Sequence, residues 1–238
     1  SGPAAVEARD WDRDVFTHIV AINNAWRVRP DWDATIFPED LPPEKRPPEV
    51  APDQQLIEAE QFVPVQNRFG GFVYAGGTMV FTAAYWALGA LKPNVMAFFG
   101  CDLVYPASGD THFYGTGTPD PLRDDVTLQS LEAKSARLQL IAASEQCACV
   151  NLSNGQSRLV LPRADLETLS EVAPVAPDVA SVQRATEREQ ALDYFVESGR
   201  YWEEVDQFDP IALAEIDALW LEAHRHSSMD KGCNKSRD

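Results

Sequence analysis

The feature that most limits the possible folds is the order of segments across residues 75–115. A glycine turn opens an apolar helix expected at 78–88, an apolar strand follows at 95–99, and this strand runs into a polar loop that contains Gly100 and Asp102. Open α/β sheets build their ligand sites in this order, because a helix N-terminus carries unpaired N–H groups and ligands bind beyond the carboxyl ends of the strands. We therefore expect an α/β fold with an anion site near this loop.

Strand and helix patterns alternate through the first two thirds of the chain. Further strands are expected at 16–22, 34–37, 61–66 and 147–152, and a further helix at 126–144. The segment 38–52 contains six prolines and is expected to be an extended surface loop. The alternation predicts a doubly wound, mostly parallel, Rossmann-like sheet that forms a nucleotide-binding domain over residues 1–170.

The last third of the chain has a different pattern. Two amphipathic stretches, 181–197 and 209–226, follow a proline-containing linker and predict a C-terminal helical extension over 181–226. Residues 227–238 have no apolar pattern and are expected to form a disordered tail.

Composition excludes several classes of partner. The chain has 37 acidic and 20 basic residues, a formal net charge of −17, so a nucleic-acid surface is not expected. The four cysteines form no CxxC pair and no zinc-finger spacing, which favours reduced, structural cysteines and a cytoplasmic location. The apolar run at 79–91 is too short for a transmembrane segment. The acid-x-acid motif Asp31-Trp32-Asp33 precedes a strand instead of ending one, so no metal site is expected there.

Five short motifs follow one another along the first half of the chain. They are Gly2-Pro3-Ala4, Asn23-Asn24-Ala25, Gly76-Gly77-Thr78, Gly100-Cys101-Asp102 and His112-Phe113-Tyr114-Gly115. The ordered set resembles the bacterial lipo-oligosaccharide sialyltransferases and the wider sialyltransferase-like group, which includes motility accessory factors and hydroxymethylpterin diphosphokinase-like enzymes. The resemblance covers about residues 1–160. It implies a glycosyltransferase that uses a CMP-activated acidic sugar as donor and a glycan or small molecule as acceptor, with no metal and no cofactor.

The resemblance also implies a set of donor-binding residues. Asn23 is expected to hydrogen-bond the cytidine nucleotide, and the backbone at Gly77 and Thr78 is expected to meet the phosphate or carboxylate of the donor. The full set is Gly2, Pro3, Asn23, Asn24, Arg68, Gly76, Gly77, Thr78, Asp102, Asn151 and Ser153.

The catalytic residues follow the family less closely. Where the sialyltransferases carry a histidine that serves as general base, this chain carries Thr116, and threonine does not take a proton at neutral pH. His112, four residues earlier, is expected to replace it, while the hydroxyls of Tyr105 and Tyr114 stabilise the departing phosphate.

Other interpretations of these residues remain open. For Asn23 the alternative role is to cap its turn, for Asp102 to hold its loop, and for the glycines at 76–77 to allow close helix packing. Two other functions also remain open for the chain. One is a phosphotransferase like the pterin diphosphokinase relatives, which would bind a magnesium nucleotide through a carboxylate such as Asp102 or Asp40, and the other is a non-catalytic nucleotide- or glycan-binding protein, which the Thr116 departure supports. The two C-terminal helices cover the core or form a contact between copies of the chain in a homo-oligomer.

Overall fold

Three short parallel strands form the first sheet of the structure, a computed structural model that describes residues 2–105, 109–117 and 120–229. The strands are Val20–Ile22 (β1), Ala34–Ile36 (β2) and Gln55–Ile57 (β3). Their order is β1-β2-β3, with Val20 opposite Ala34 and Ala34 opposite Gln55. All three residues of β2 are buried, as expected for the central strand of a parallel sheet.

Two further parallel strands form a second sheet. Strands Val95–Phe98 (β4) and Ala148–Asn151 (β5) pair with Val95 opposite Ala148. Within the described ranges, no strand pairs with the second edge of β1 or the second edge of β4. The fold is therefore mixed α/β with two small parallel sheets.

Six α-helices within the described residues surround the sheets. They are Ala59–Asn67 (α1), Gly71–Ala75 (α2), Met79–Ala90 (α3), Leu131–Ser144 (α4), Val179–Leu192 (α5) and Pro210–Met229 (α6). Short 3-10 segments occupy several connections, among them Pro3–Asp10, Asn23–Arg27 and Pro43–Lys45. No helix in the described part of the chain combines the length and apolarity that crossing a membrane requires.

Two hydrophobic clusters form the core. One joins β2 and α2 to the C-terminal helices through Ile36, Tyr74, Leu213 and Trp220. The other lies between α3, α4 and the β4–β5 sheet and includes Phe81, Tyr85, Phe98, Leu138 and Cys149. The C-terminal helices therefore share a core with the first sheet.

Buried ion pairs tie α4 to the C-terminal helices. Arg137 of α4 bonds both carboxylate oxygens of Glu189 in α5 at 2.8 Å, and Lys134 of α4 bonds Asp217 in α6 at 2.7 Å. Glu189 also accepts a 2.6 Å hydrogen bond from the Trp220 indole. Each buried charge thus has an opposite partner, which offsets part of the cost of taking it out of water.

Most predicted elements are confirmed, with shifted ends. Strands occur within 16–22, 34–37, 95–99 and 147–152, and helices within or close to 78–88, 126–144, 181–197 and 209–226. Helix α5 ends at Leu192, because Asp193 adopts a left-handed backbone with φ of 53°. Helix α6 continues to Met229, and residues 230–238 of the predicted tail lie outside the described ranges.

The prediction of a strand at 61–66 is wrong. This segment lies in α1, and the third strand is Gln55–Ile57. The helix starts with a capping box, in which the Glu58 carboxylate accepts from the backbone of Gln61 while the Gln61 side chain accepts from the Glu58 N–H at 2.9 Å. Pro64 lies inside this helix.

Candidate functional site

A cavity of about 470 Å³ lies beyond the carboxyl ends of β1 and β4, and we call it the strand-end cavity. Its walls come from the turns after β1 and β4, the start of α3, the Pro43–Lys45 turn and the loop around His112. The predicted residues that line it are Gly2, Pro3, Asn23, Asn24, Thr78, Asp102, Tyr105, His112 and Tyr114. The structure therefore brings together nine residues that are spread over more than a hundred positions of the sequence.

Three residues in the wall of this cavity have a left-handed backbone. Asn23 has φ of 55°, Gly100 of 65° and Leu103 of 58°, and all three line the walls. A left-handed conformation is costly for leucine and less so for asparagine, and such strain is most often found at functional sites. The side-chain Oδ1 of Asn23 is also buried without a hydrogen-bond partner among the described residues. A buried acceptor left unpaired costs about 1–3 kcal/mol, so a ligand donor at this atom would be favourable.

The start of α3 supplies positive potential to the cavity. Thr78 is the N-cap residue but its side chain does not cap the helix, so the N–H groups of Met79 and Val80 have no acceptor within the helix. Met79 and Val80 both line the cavity. These N–H groups and the helix dipole together favour an anion at this position.

Lys45 brings a cation to the same cavity. It ends the Pro43–Lys45 turn, is half-buried, and forms no ion pair with the described residues. The turn is held in place because the Trp26 indole donates to the Lys45 carbonyl at 2.8 Å. An ammonium group without an ion pair among the described residues, in the same cavity as the amides of Met79 and Val80, suits a phosphate or a carboxylate.

His112 lies in a tight hairpin on the far wall. Its N–H donates to the Gly115 carbonyl at 2.9 Å and its carbonyl accepts from the Gly115 N–H at 3.1 Å. The residue is 8% exposed, and its imidazole lies near the rings of Tyr105 and Tyr114, with centroid distances of 5.7 and 5.0 Å. Burial lowers the pKa of His112 below its usual value, and the nearby ammonium of Lys45 lowers it further. His112 is therefore neutral at pH 7.

Hydrogen bonds around Thr111 determine which nitrogen of His112 can take a proton. The Thr111 hydroxyl donates to the Gly117 carbonyl at 3.0 Å and accepts from the Gly117 N–H at 2.8 Å. It also lies 2.8 Å from Nδ1 of His112. Because the hydroxyl has a single proton, this pattern assigns the imidazole proton to Nδ1, which leaves Nε2 as the basic atom.

Gly77 does not line the cavity wall as expected. Its N–H donates to the Thr127 hydroxyl at 2.9 Å and its carbonyl accepts from Arg123 at 2.6 Å. A side chain at Gly77 would overlap the hydroxyl of Tyr201. Both backbone polar groups of Gly77 are therefore already hydrogen-bonded within the protein. The structure fits a role for these glycines in close packing better than a role in close approach by a ligand. Gly76 has a positive φ of 92°, and a side chain at this position would crowd Lys134.

Arg68 lies away from the strand-end cavity. It packs against Gly89 near the C-terminal end of α3 and near the ring of Phe69. Gly89 is ten residues from Met79, which is about 15 Å along a helix. The structure therefore does not place this arginine among the donor-binding residues.

Asp102, Asn151 and Ser153 bond mainly to one another and to their loops. The Asn151 amide donates to Asp102 at 2.9 Å and to Ser157 at 3.0 Å, and its oxygen accepts from the Ser153 N–H at 2.8 Å. The Ser153 carbonyl accepts from Arg163. Asp102 reaches the cavity wall, but Asn151 and Ser153 do not line it. This cluster joins the ends of β4 and β5, as the structural interpretation of Asp102 anticipates.

Two contributors to the site were not found from the sequence. Lys45 lies in the proline-rich segment, which gives no sign that its turn folds over the carboxyl end of β1. Thr111 precedes the His112 motif and orients the imidazole. A lysine directly after Pro42-Pro43-Glu44 was the only available signal, and by itself it indicates a solvent-exposed turn.

The remaining wall residues include a thiol. Burial raises the pKa of Cys101 to about 12, so the thiol stays protonated at neutral pH.

Within the described ranges, no group of three or more histidine, cysteine, aspartate or glutamate side chains is placed to hold a metal ion. Comparison of the chain with protein-family models, with curated proteins and with solved structures gives no match.

Proposed function

We propose that the strand-end cavity binds a CMP-activated acidic sugar and that the protein is a metal-independent glycosyltransferase of the sialyltransferase-like type. The observation that carries the proposal is the convergence of three groups on one cavity. They are the N–H groups at the start of α3, the ammonium of Lys45 and Oδ1 of Asn23, none of which has a partner among the described residues. The first two suit an anion and the third suits a polar group with a proton to donate.

The donor is oriented by these contacts. Its phosphate lies at the amides of Met79 and Val80, where Lys45 neutralises part of its charge. Asn23 accepts a hydrogen bond from the exocyclic amine of the cytosine, which satisfies the buried oxygen. Binding of the donor therefore removes a cost that the unoccupied protein carries.

His112 acts as general base in the proposed reaction. Its Nε2 takes the proton of the acceptor hydroxyl while the acceptor oxygen bonds to the anomeric carbon, and the bond from that carbon to the phosphate oxygen breaks to release CMP. The Tyr105 and Tyr114 hydroxyls donate to the departing phosphate. Burial raises the pKa of Tyr114, which keeps its hydroxyl protonated for this role.

We also propose that the two sheets belong to a doubly wound, Rossmann-like architecture. All five strands are parallel in their pairs, and the strand-end cavity lies beyond the carboxyl ends of β1 and β4, which belong to different sheets. Open α/β sheets bind their ligands at such a place.

Nucleotide binding tests the proposal directly. Isothermal titration should show CMP binding more tightly than UMP or AMP, and Lys45→Ala should weaken CMP binding about 10-fold through loss of a charge-assisted contact. Lys92→Ala is the matched control, because Lys92 is exposed outside this cavity and the substitution changes the net charge equally. Equal affinity for all three nucleotides would rule out a cytidine donor. Preference for magnesium ATP would instead favour the phosphotransferase alternative.

Catalysis is tested separately through His112. His112→Gln should keep CMP affinity within a factor of about 3 and lower the rate of sugar transfer at least 100-fold, the usual range for removal of a general base. The rate can be measured without knowledge of the acceptor as the hydrolysis of CMP-sialic acid, in which water takes the sugar and the released CMP is quantified by chromatography. CMP binding with no turnover by the unmodified chain would favour the non-catalytic alternative.

A further inference from the structure

A second cavity separates the two sheets, and we call it the β1–β4 channel. Its larger part, about 750 Å³, lies on the side of α3, and a smaller part of about 180 Å³ lies on the side of the Pro3–Asp10 segment. Seven residues line both parts, namely Phe16, His18, Val20, Ile22, Ala97, Phe99 and Cys101. The channel therefore runs between the two strands and is covered on both faces.

The strand edges along the channel have no partner. Neither the second edge of β1 nor that of β4 pairs with any strand in the described ranges. Ala97 is exposed in the middle of β4 although Met96 and Phe98 on either side are buried, and Val20 and Ile22 are half-buried. Strands of parallel sheets are ordinarily buried on both faces and paired on both edges unless they lie at the rim.

The covering elements match the requirements of one more strand. On one side α3 presents small residues at helical spacing, Ala83, Ala84 and Ala87, which leave room beneath the helix. The rest of the lining is mostly apolar, so the occupant has to be apolar on both faces. A strand inserted here would pair with β1 on one edge and β4 on the other and join the two sheets.

The position of Gly2 indicates the direction of this strand. Gly2 has an extended backbone, with φ of −67° and ψ of 168°, and its N–H donates to the carbonyl of Gly100, two residues beyond the end of β4. A bond of this kind continues a parallel ladder along the free edge of β4. Polypeptide that enters Gly2 along this line comes out of the β1–β4 channel.

We propose that the β1–β4 channel is the seat of a sixth parallel β-strand, formed by the stretch of the same polypeptide that leads into Gly2. The strand is apolar, spans about four or five residues to match β4, and makes one continuous sheet with the order β3-β2-β1-new strand-β4-β5. The presence of this strand does not depend on the proposed function, because the strand lies in the channel and would be there whichever ligand the strand-end cavity binds.

Two fusions ahead of residue 1 test the proposal. One carries the apolar sequence Val-Val-Ile-Val-Ile and the other carries Gly-Ser-Gly-Ser-Gly, each behind the same soluble tag. Amide hydrogen exchange by mass spectrometry should be at least about 10-fold slower in β1 and β4 with the apolar fusion, because the new strand closes their free edges. Equal exchange in the two fusions would overturn the proposal.

Variants within the channel separate this outcome from general stabilisation. Ala97→Trp fills the channel from β4 and should abolish the added protection, whereas Ala90→Trp, at an exposed alanine of α3 outside the channel, should preserve it. Protection that survives Ala97→Trp would place the fused segment elsewhere. Concentration-dependent dimers of the glycine-serine fusion, with β1 and β4 protected only in the dimer, would assign the channel to a second copy and also overturn the proposal.

Discussion

At the scale of single residues, Gly77 shows how a glycine that looks suited to ligand approach is required by packing. Gly77→Ala is expected to destabilise the protein by about 1–3 kcal/mol, because the new methyl group overlaps the Tyr201 hydroxyl, which is held by Asp125 at 2.7 Å. Urea denaturation measures the loss. Gly155→Ala is the control, since nothing lies near a side chain at that position, and it should change stability by less than about 1 kcal/mol. Equal stability of the two variants would show that the Tyr201 contact is not maintained in solution.

Several residues of the strand-end cavity could be predicted from the sequence, but not all of them. Asn23 and Asp102 were predicted from their place after strands and His112 from a family resemblance, and all three line the strand-end cavity. Lys45 could not be found, because its position depends on how a proline-rich connection folds over β1. A single sequence contains the turn residues but not the direction in which such a long connection runs.

At the scale of elements, the contact between α4 and α5 depends on one buried ion pair. Glu189→Ala is expected to lower the free energy of unfolding by about 3–5 kcal/mol, because it leaves the Arg137 guanidinium buried without its carboxylate. Chemical denaturation measures this effect. Glu215→Ala removes the partner of Arg188 in an exposed pair and should cost less than about 1 kcal/mol.

A double variant distinguishes charge from packing at the same contact. Arg137→Met with Glu189→Leu replaces both buried charges by apolar side chains and should recover much of the stability that Glu189→Ala loses. If the double variant is as unstable as the single one, then the bonds from Arg137 to the Phe69 carbonyl and to Tyr85 contribute more than the ion pair does.

Helix α1 shows where element prediction failed and why. The short apolar run between Gln61 and Gln66 fits a strand, but the capping box of Glu58 and Gln61 starts a helix three residues earlier. The strand itself formed at Gln55–Ile57, beside the fully buried Ile36 of β2. Short apolar runs fit both periods, so tertiary pairing decides between them.

At the scale of the whole molecule, stability is expected to fall with acidification well before the carboxylates titrate. Burial lowers the pKa of both His112 and His224, so the unfolded chain binds more protons than the folded one near and below pH 6.5. Below about pH 4.5 the effect continues, because the Arg158 guanidinium lowers the pKa of Glu132. Asp217 acts in the opposite direction, since burial raises its pKa despite Lys134.

Urea denaturation between pH 7.5 and 5 measures this trend. The free energy of unfolding should decrease steadily from pH 7 to pH 5, and His224→Gln should reduce the slope because one of the two titrating groups is removed. A flat profile, or a rise in stability on acidification, would contradict the burial of these histidines.

The alternation of strands and helices along the sequence predicted part of the overall architecture. Parallel pairing of β1 with β2 and of β4 with β5 followed from that alternation, whereas the separation of the sheets by the β1–β4 channel did not. Apolar periodicity shows which residues are buried but gives no information about which strand edges remain unpaired.

Ile22, Val80 and Cys101 line both the β1–β4 channel and the strand-end cavity. The two spaces share a wall, so a displacement of this wall by an occupant of one changes the shape of the other. Thermodynamic reciprocity then requires that the effect be equal in both directions. A nucleotide that tightens the wall would raise the affinity of the channel for a strand by the same factor by which the strand raises the affinity for the nucleotide.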